Sequence, residues 1–265
     1  QSQSVAMVNP LSEDQAVMRQ TLLFSMLEVA AHNIRHRQSD LKLFEVGAAY
    51  HKYGDRYCES QTLALLLTGT EFGESWDYGT RPSHLQQLTA MVEKVAATYL
   101  DQAGKVAVDD AGWSHGAIHW KAGKRTWAKA GAVSAEALKL AGVKQPCFYA
   151  EVDLDYIAEL TLSSVKFTAV PKFPEVRRDL SLVLDGQVPY GDVEKLARNY
   201  GGDLLKRVNL FDIYEGDKID AGKKAYALSF FLQDPSQTLS DKAIDKTMAR
   251  MMAGFEKELG ALIRK

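Results

Sequence analysis

Residues 172–184 read KFPEVRRDLSLVL, and their alternation decides the fold of the C-terminal part of the chain. Over 179–184 the side chains Leu180, Leu182 and Leu184 fall on one side, and Asp179, Ser181 and Val183 on the other. That is the period of a strand with one face buried. Working outward, 190–200 reads as a helix stopped by two glycines. Residues 208–214 and 224–233 read as strands joined by the turn EGDKIDAGK. Ser240 reads as the cap of a helix over 241–262, which turns Ile244, Thr247, Met248, Met251, Phe255 and Leu259 toward a core. This β-α-β-β-α order predicts an open sheet with both helices on one face and the other face bare.

The same alternation assigns the two faces. In 224–233, Tyr226, Leu228, Phe230 and Leu232 form the core set, so Ala225, Ala227, Ser229 and Phe231 point away. In 208–214 the expectation is Phe211 and Ile213 in the core with Asp212 and Tyr214 outward. The bare face then carries Tyr214, Asp212, Ser181, Ser229, Phe231 and the alanines. Arg177, Arg178, Lys206, Arg207, Lys218, Lys223 and Lys224 cluster at strand ends and loops around it. Such a face suits single-stranded nucleic acid. An aromatic ring stacks on a base, an acid or hydroxyl meets the base edge, small residues admit it, and Lys or Arg neutralise phosphate. The same pattern also describes ordinary half-exposed strand residues on a sheet that serves many functions.

Ahead of this stretch, 161–175 carry two prolines and little periodicity, and the boundary between a domain at 1–165 and one at 166–265 is placed there. In the first domain, Ser12 with Gln15 fits a helix start. Leu22, Leu23, Met26, Leu27, Ala30 and Ile34 follow at helical spacing, with a face that suits burial either inside the domain or against a partner. Residues 41–50, 62–68, 117–120, 126–132 and 147–154 read as strands, and 85–100 and 155–160 as helices. The expected class is α+β, a mostly antiparallel sheet with helices. Trp76, Trp113, Trp120 and Trp127 read as core or interface aromatics.

The totals exclude several function classes. With 265 residues and a net charge of −2, there is no global electrostatic case for nucleic acid, so any such site depends on local clustering. Cys58 and Cys147 lack CxxC spacing, and no run reaches membrane-spanning length; a cytoplasmic protein with no membrane role is expected. The chain starts at Gln1 without a methionine, which reads as a piece cut from a longer protein. His32/His36 and His115/His119 are each four apart, but H-E-x-x-H and a further ligand at zinc spacing are missing, so no metal site is expected. G-x-S-x-G, GxGxxG and the phosphate loop are missing too.

The series PKFPEVRRDLSLVL, VNLFDIYEG, GKKAYALSFFLQ, QTLSDKAID and GALIRK resembles the ferredoxin-fold anticodon-binding domain that ends the β subunits of bacterial phenylalanyl-tRNA synthetases. Residues 8–50, VNPLSEDQAVMRQTLLFSMLEVAAHNIRHRQSDLKLFEVGAAY, resemble the start of the same subunits' class II synthetase-like domain, which is non-catalytic in the family. The resemblance implies a ferredoxin-like (βαββαβ) second domain and an anticodon site at Asp212, Tyr214, Ser181, Ala225, Ala227, Ser229, Arg178, Lys223 and Lys224. The tyrosine would stack on an anticodon base with the acid beside it. Ala225 stands where the family often has serine. It also implies partners, the tRNA for phenylalanine and a catalytic α subunit in an α2β2 assembly, with ATP and Mg²⁺ bound by the holoenzyme and no cofactor on this segment.

Departures from catalytic class II cores reinforce a non-catalytic first domain. HKYGDRYCESQTLALLLTG lacks the phenylalanine-arginine-x-glutamate signature, and SHGAIHW and GAVSAEA replace the family's commoner HPGRSA and GELHP-like stretches. Arg19 and Glu45 read as structural, holding the first helix against the first strand. The competing reading is a ferredoxin-like regulatory or protein-interaction module on a degenerate enzyme fold, with no RNA role. A third, an active synthetase in the first domain, predicts ATP–pyrophosphate exchange by this chain alone.

Overall fold

The computed structural model describes every residue except 1–2, 14–15, 78, 98–104, 110–111, 115, 161–168, 218 and 265, and of 105–109 it describes the backbone. The expected cap partner Gln15, the rim residue Lys218 and part of the proline-bearing linker thus lie outside the described residues. The chain divides into two compact units, Gln1–Val165 and Lys166–Lys265. Each is α+β with an antiparallel sheet. Among the described residues, no helix is long and apolar enough to cross a membrane.

The first unit contains α1 (Leu23–Arg35), β1 (Leu41–Tyr53), β2 (Arg56–Thr68), α2 (Leu85–Ala97), β3 (Lys105–Asp109), β4 (Ala117–Ala122), β5 (Arg125–Ala132), α3 (Ala135–Leu140), β6 (Cys147–Asp153) and α4 (Leu154–Glu159). Its six strands run in the order β1-β2-β6-β5-β4-β3. The apolar stripe of α1 is buried inside the unit, where Leu23, Met26, Leu27, Ala30 and Ala31 share a core with Leu66 and Tyr149. The stripe of α2 is spent likewise, on Leu88, Val92 and Ala96 against Trp120, Trp127 and Val152. One expectation is corrected: helix α1 starts at Leu23, well past Ser12, and the Leu23 amide donates to Thr21 Oγ1 at 3.1 Å. Of the two readings of Trp76, core or interface, its 97% exposure excludes the core.

The second unit runs β7 (Val176–Asp185), α5 (Tyr190–Gly201), β8 (Leu205–Tyr214), β9 (Lys223–Leu232), α6 (Asp241–Leu259) and β10 (Leu262–Arg264), with strand order β10-β7-β9-β8. One sheet face bears Leu182, Leu184, Tyr226, Leu228, Phe230 and Leu232, and both helices pack on it through Val193, Leu196, Ile244, Met248, Met251 and Phe255. Close approach of the two helices depends on Gly254, since a Cβ there would lie 2.5 Å from the Tyr200 ring. Ser240 accepts the Ala243 amide and caps α6 as expected. The helix ends at Leu259, short of residue 262, because Gly260 turns left-handed (φ 62°) and frees 262–264 to form the edge strand β10.

Candidate nucleic-acid interface

The face of the second sheet that neither helix covers is built by register. In the β7·β9 pairing, Ser181 lies opposite Ala227 and Val183 opposite Ala225. In the β8·β9 pairing, Asp212 lies opposite Ala227 and Tyr214 opposite Ala225. Side chains directly opposite one another share a face, so Ser181, Ala225, Ala227, Asp212 and Tyr214 form one patch. The two alanines in its middle row leave room above the sheet, and Tyr214, on the edge strand, is 38% exposed. The hydroxyl end of Tyr214 rests over Gly216, where a Cβ would lie 2.7 Å from the phenol oxygen. Glycine at 216 therefore leaves the space that the end of the ring occupies.

Five expected placements are corrected. Phe211 and Ile213 are not core residues; they are 51% and 52% exposed. A β-bulge between Leu210 and Asp212 inserts Phe211 as an extra residue, and Leu210 pairs with Leu228 in the core instead. Lys224 is not a rim cation. It lies opposite Leu184, shares the helix-side face with Tyr226, and its Nζ donates to the Gly186 carbonyl at 2.9 Å. Arg178 lies opposite Phe230, also on the helix side, and its guanidinium points at Asp241 at the start of α6, 3.9 Å away. Ser229 faces the uncovered side by register yet is fully buried among its neighbours.

Among the described residues, Arg177 and Arg207 are cations that do reach this face. Arg177 holds Asp179 with two bonds, 2.8 and 3.0 Å, and keeps that carboxyl below the usual carboxylate range. Arg207 stacks 3.6 Å above the Phe231 ring and also reaches Glu175 at 3.4 Å. Lys223, at the end of β9, pairs with Asp220 at 2.9 Å. The sequence pointed only to a basic rim. It carried no sign of the bulge that exposes Phe211.

In the first unit, Arg19 donates to Glu45 (2.8 Å) and to the Ala48 carbonyl (2.9 Å), lying across Gly47. It ties the segment ahead of α1 to β1, the structural role read from the sequence. Deeper on this sheet, Glu151 accepts from Thr21 (2.6 Å), Tyr149 (2.6 Å) and the Leu22 amide (3.2 Å), and pairs with Lys129 at 2.8 Å. Burial pushes its carboxyl upward, but Lys129 and the hydroxyl donors outweigh it and hold Glu151 below the usual range. The Tyr149 phenol is pushed the other way, up, by burial and by that carboxylate.

Comparison with known proteins assigns both units. Residues 1–154 match the phenylalanyl tRNA synthetase beta chain CLM domain family, and residues 171–264 match the ferredoxin-fold anticodon binding domain. The phenylalanine–tRNA ligase beta subunit of Bacteroides thetaiotaomicron is 39% identical over 98% of this chain and 33% of its own length. That of Porphyromonas gingivalis is 37% identical over 98% of this chain and 34% of its own. The chain thus spans about a third of the length of the curated relatives it matches. Among solved structures, pyrrolysyl-tRNA synthetase from Desulfitobacterium hafniense overlays with a TM-score of 0.45 at 15% identity, over 59% of this chain and 52% of that one.

Proposed function

Since the chain belongs to the phenylalanyl-tRNA synthetase beta chain family, we propose that it serves phenylalanine–tRNA ligase by holding the anticodon loop of the tRNA and by docking on the catalytic α subunit. The carrying observation is the exposed Tyr214 ring on a helix-free sheet face, with Asp212 beside it and Ala225 and Ala227 leaving space above the sheet. A splayed base stacks on the ring, and the Asp212 carboxylate accepts from the base edge. Backbone groups or Ser181 serve where the family's serine is replaced by Ala225. Arg177, Arg207 and Lys223 supply the positive charge at the rim. Holding the distant loop positions the acceptor end, so the contribution is orientation rather than bond making.

Aminoacylation, with ATP and Mg²⁺, is assigned to the α subunit of an α2β2 cytoplasmic enzyme. Two carboxylates on the first sheet, Glu151 and Asp153, do not suit a nucleotide-bound metal ion. Glu151 is taken up by Thr21, Tyr149, Leu22 and Lys129, and Asp153 caps α4 through the Tyr156 amide while binding Arg125 at 2.9 Å. Arg19 is likewise committed to Glu45 and Ala48. The α-subunit contact is placed on edge strand β1, where Phe44 and Val46 are 75% and 57% exposed and lie opposite Leu65 and Leu63 of β2. An apolar patch of this kind on a strand edge marks an interaction surface.

Titration with transcribed tRNA tests the reading. Binding is expected to weaken steeply with salt, to fall when the anticodon is changed, and to fall about 5- to 150-fold for Tyr214→Ala while Tyr214→Phe keeps it. Binding indifferent to the anticodon and to Tyr214→Ala would favour a regulatory or protein-interaction module. ATP–pyrophosphate exchange by this chain alone would overturn the non-catalytic assignment of its first unit.

A further inference from the structure

Resting on the proposed RNA-binding role, we infer that Phe211 is a second stacking platform on the same sheet face, taking a second unstacked base of the tRNA loop held at Tyr214. The β8 bulge makes Phe211 the extra residue between Leu210, opposite Leu228 in the core, and Asp212, opposite Ala227 on the uncovered face. A bulge re-aims the side chain it inserts. Where this one is aimed follows from its neighbour, because the Arg177 guanidinium lies 5.7 Å from the centre of the Phe211 ring and 6.0 Å from that of Phe231. Arg177 and Phe231 are opposite one another on the uncovered face. Phe211 therefore joins that face, half exposed. It lies three residues before Tyr214, a span of roughly 10 Å along a strand.

A large apolar ring in this position costs hydration and contributes nothing to the core, where Leu210 occupies the place expected for it. The surroundings match a nucleotide better than a protein surface. Two guanidiniums, Arg177 and Arg207, border the rings of Phe211 and Phe231. Asp179 and Glu175 take up part of their donor capacity, and each guanidinium has five N–H groups in all. Bases stack on aromatic rings and on arginine planes alike, and such stacking tolerates any base. Phe211 thus adds affinity, while the choice of base stays with Asp212 and Tyr214.

The test is a titration of the protein with the tRNA transcript, comparing wild type with Phe211→Ala, Phe211→Leu, Phe211→Trp and Tyr214→Ala. The expected result is a loss of roughly 5- to 150-fold for Phe211→Ala and for Phe211→Leu, with Phe211→Trp close to wild type. The ratio between matched and anticodon-changed tRNA should stay the same in all three. Melting curves confirm that each variant is folded, and the leucine and tryptophan variants keep an apolar side chain at the bulge should alanine disturb it. Wild-type affinity in Phe211→Ala and Phe211→Leu, with Tyr214→Ala still impaired, overturns this inference and leaves the anticodon-binding role standing. No tRNA binding by the wild type, or none that depends on Tyr214, overturns both.

Discussion

An alanine in place of Gly216 would set its Cβ 2.7 Å from the Tyr214 phenol oxygen and 3.0 Å from the ring carbon bearing it. Both atoms lie at the far end of a half-exposed side chain, so the ring rather than the backbone shifts to make room. Gly216→Ala should therefore melt within about 0.5 kcal/mol of wild type, yet bind tRNA several-fold more weakly. Melting curves beside the same titration separate the two effects. Glu151 gives a prediction of a different kind. Its carboxyl titrates lower in the folded chain than in the unfolded one, so the unfolded state takes up the proton first. That contribution is whole above the ordinary glutamate value of about 4.3 and is lost as pH falls through the folded value. Glu151→Gln should be less stable than wild type at pH 7, by about 1–3 kcal/mol. It should also show a flatter decline in acid, measured by denaturation at stepped pH.

At the scale of elements, the two central strands and the edge strand of the second sheet behave differently. Strands β7 and β9 have neighbours on both sides, and their alternation assigns their faces reliably. The same rule that puts Tyr226 inside also puts Lys224 inside, so its sequence position beside Lys223 is no guide to its role. Edge strand β8 is paired on one side only and accommodates a bulge at Phe211, which shifts the residues before it by one and leaves Asp212 and Tyr214 on the face that alternation assigns. The end of α6 rests on a single backbone conformation. Gly260→Ala forces a side chain into the left-handed region and should cost about 1–2 kcal/mol, read as a lower urea midpoint. On β1, charging the exposed patch with Phe44→Asp and Val46→Asp should leave the fold intact and abolish co-purification with the α subunit.

At the scale of the whole molecule, each unit has its own core, and all four tryptophans lie in the first. Phe255, fully buried and 6.1 Å from the Phe230 ring, anchors the second core. Phe255→Ala should destabilise that unit by about 3–5 kcal/mol, visible in far-ultraviolet circular dichroism. The tryptophan fluorescence transition should stay where it is. A matching shift in fluorescence would show that the two units unfold as one.

By itself, the sequence determined the order of strands and helices in the second unit, the face of β7 and β9 that each side chain takes, and the family, because period, caps and ordered motifs are local properties of the chain. The uncovered position of Asp212 and Tyr214 was legible in the same way. Only the tertiary structure decided that the α1 stripe is buried within its own unit, that Arg207 of β8 joins Arg177 beside the Phe231 ring on the open face, and that a bulge brings Phe211 out. Those outcomes depend on which strands pair and in what register. Register is set by contacts between residues far apart in the chain, and no local pattern records it.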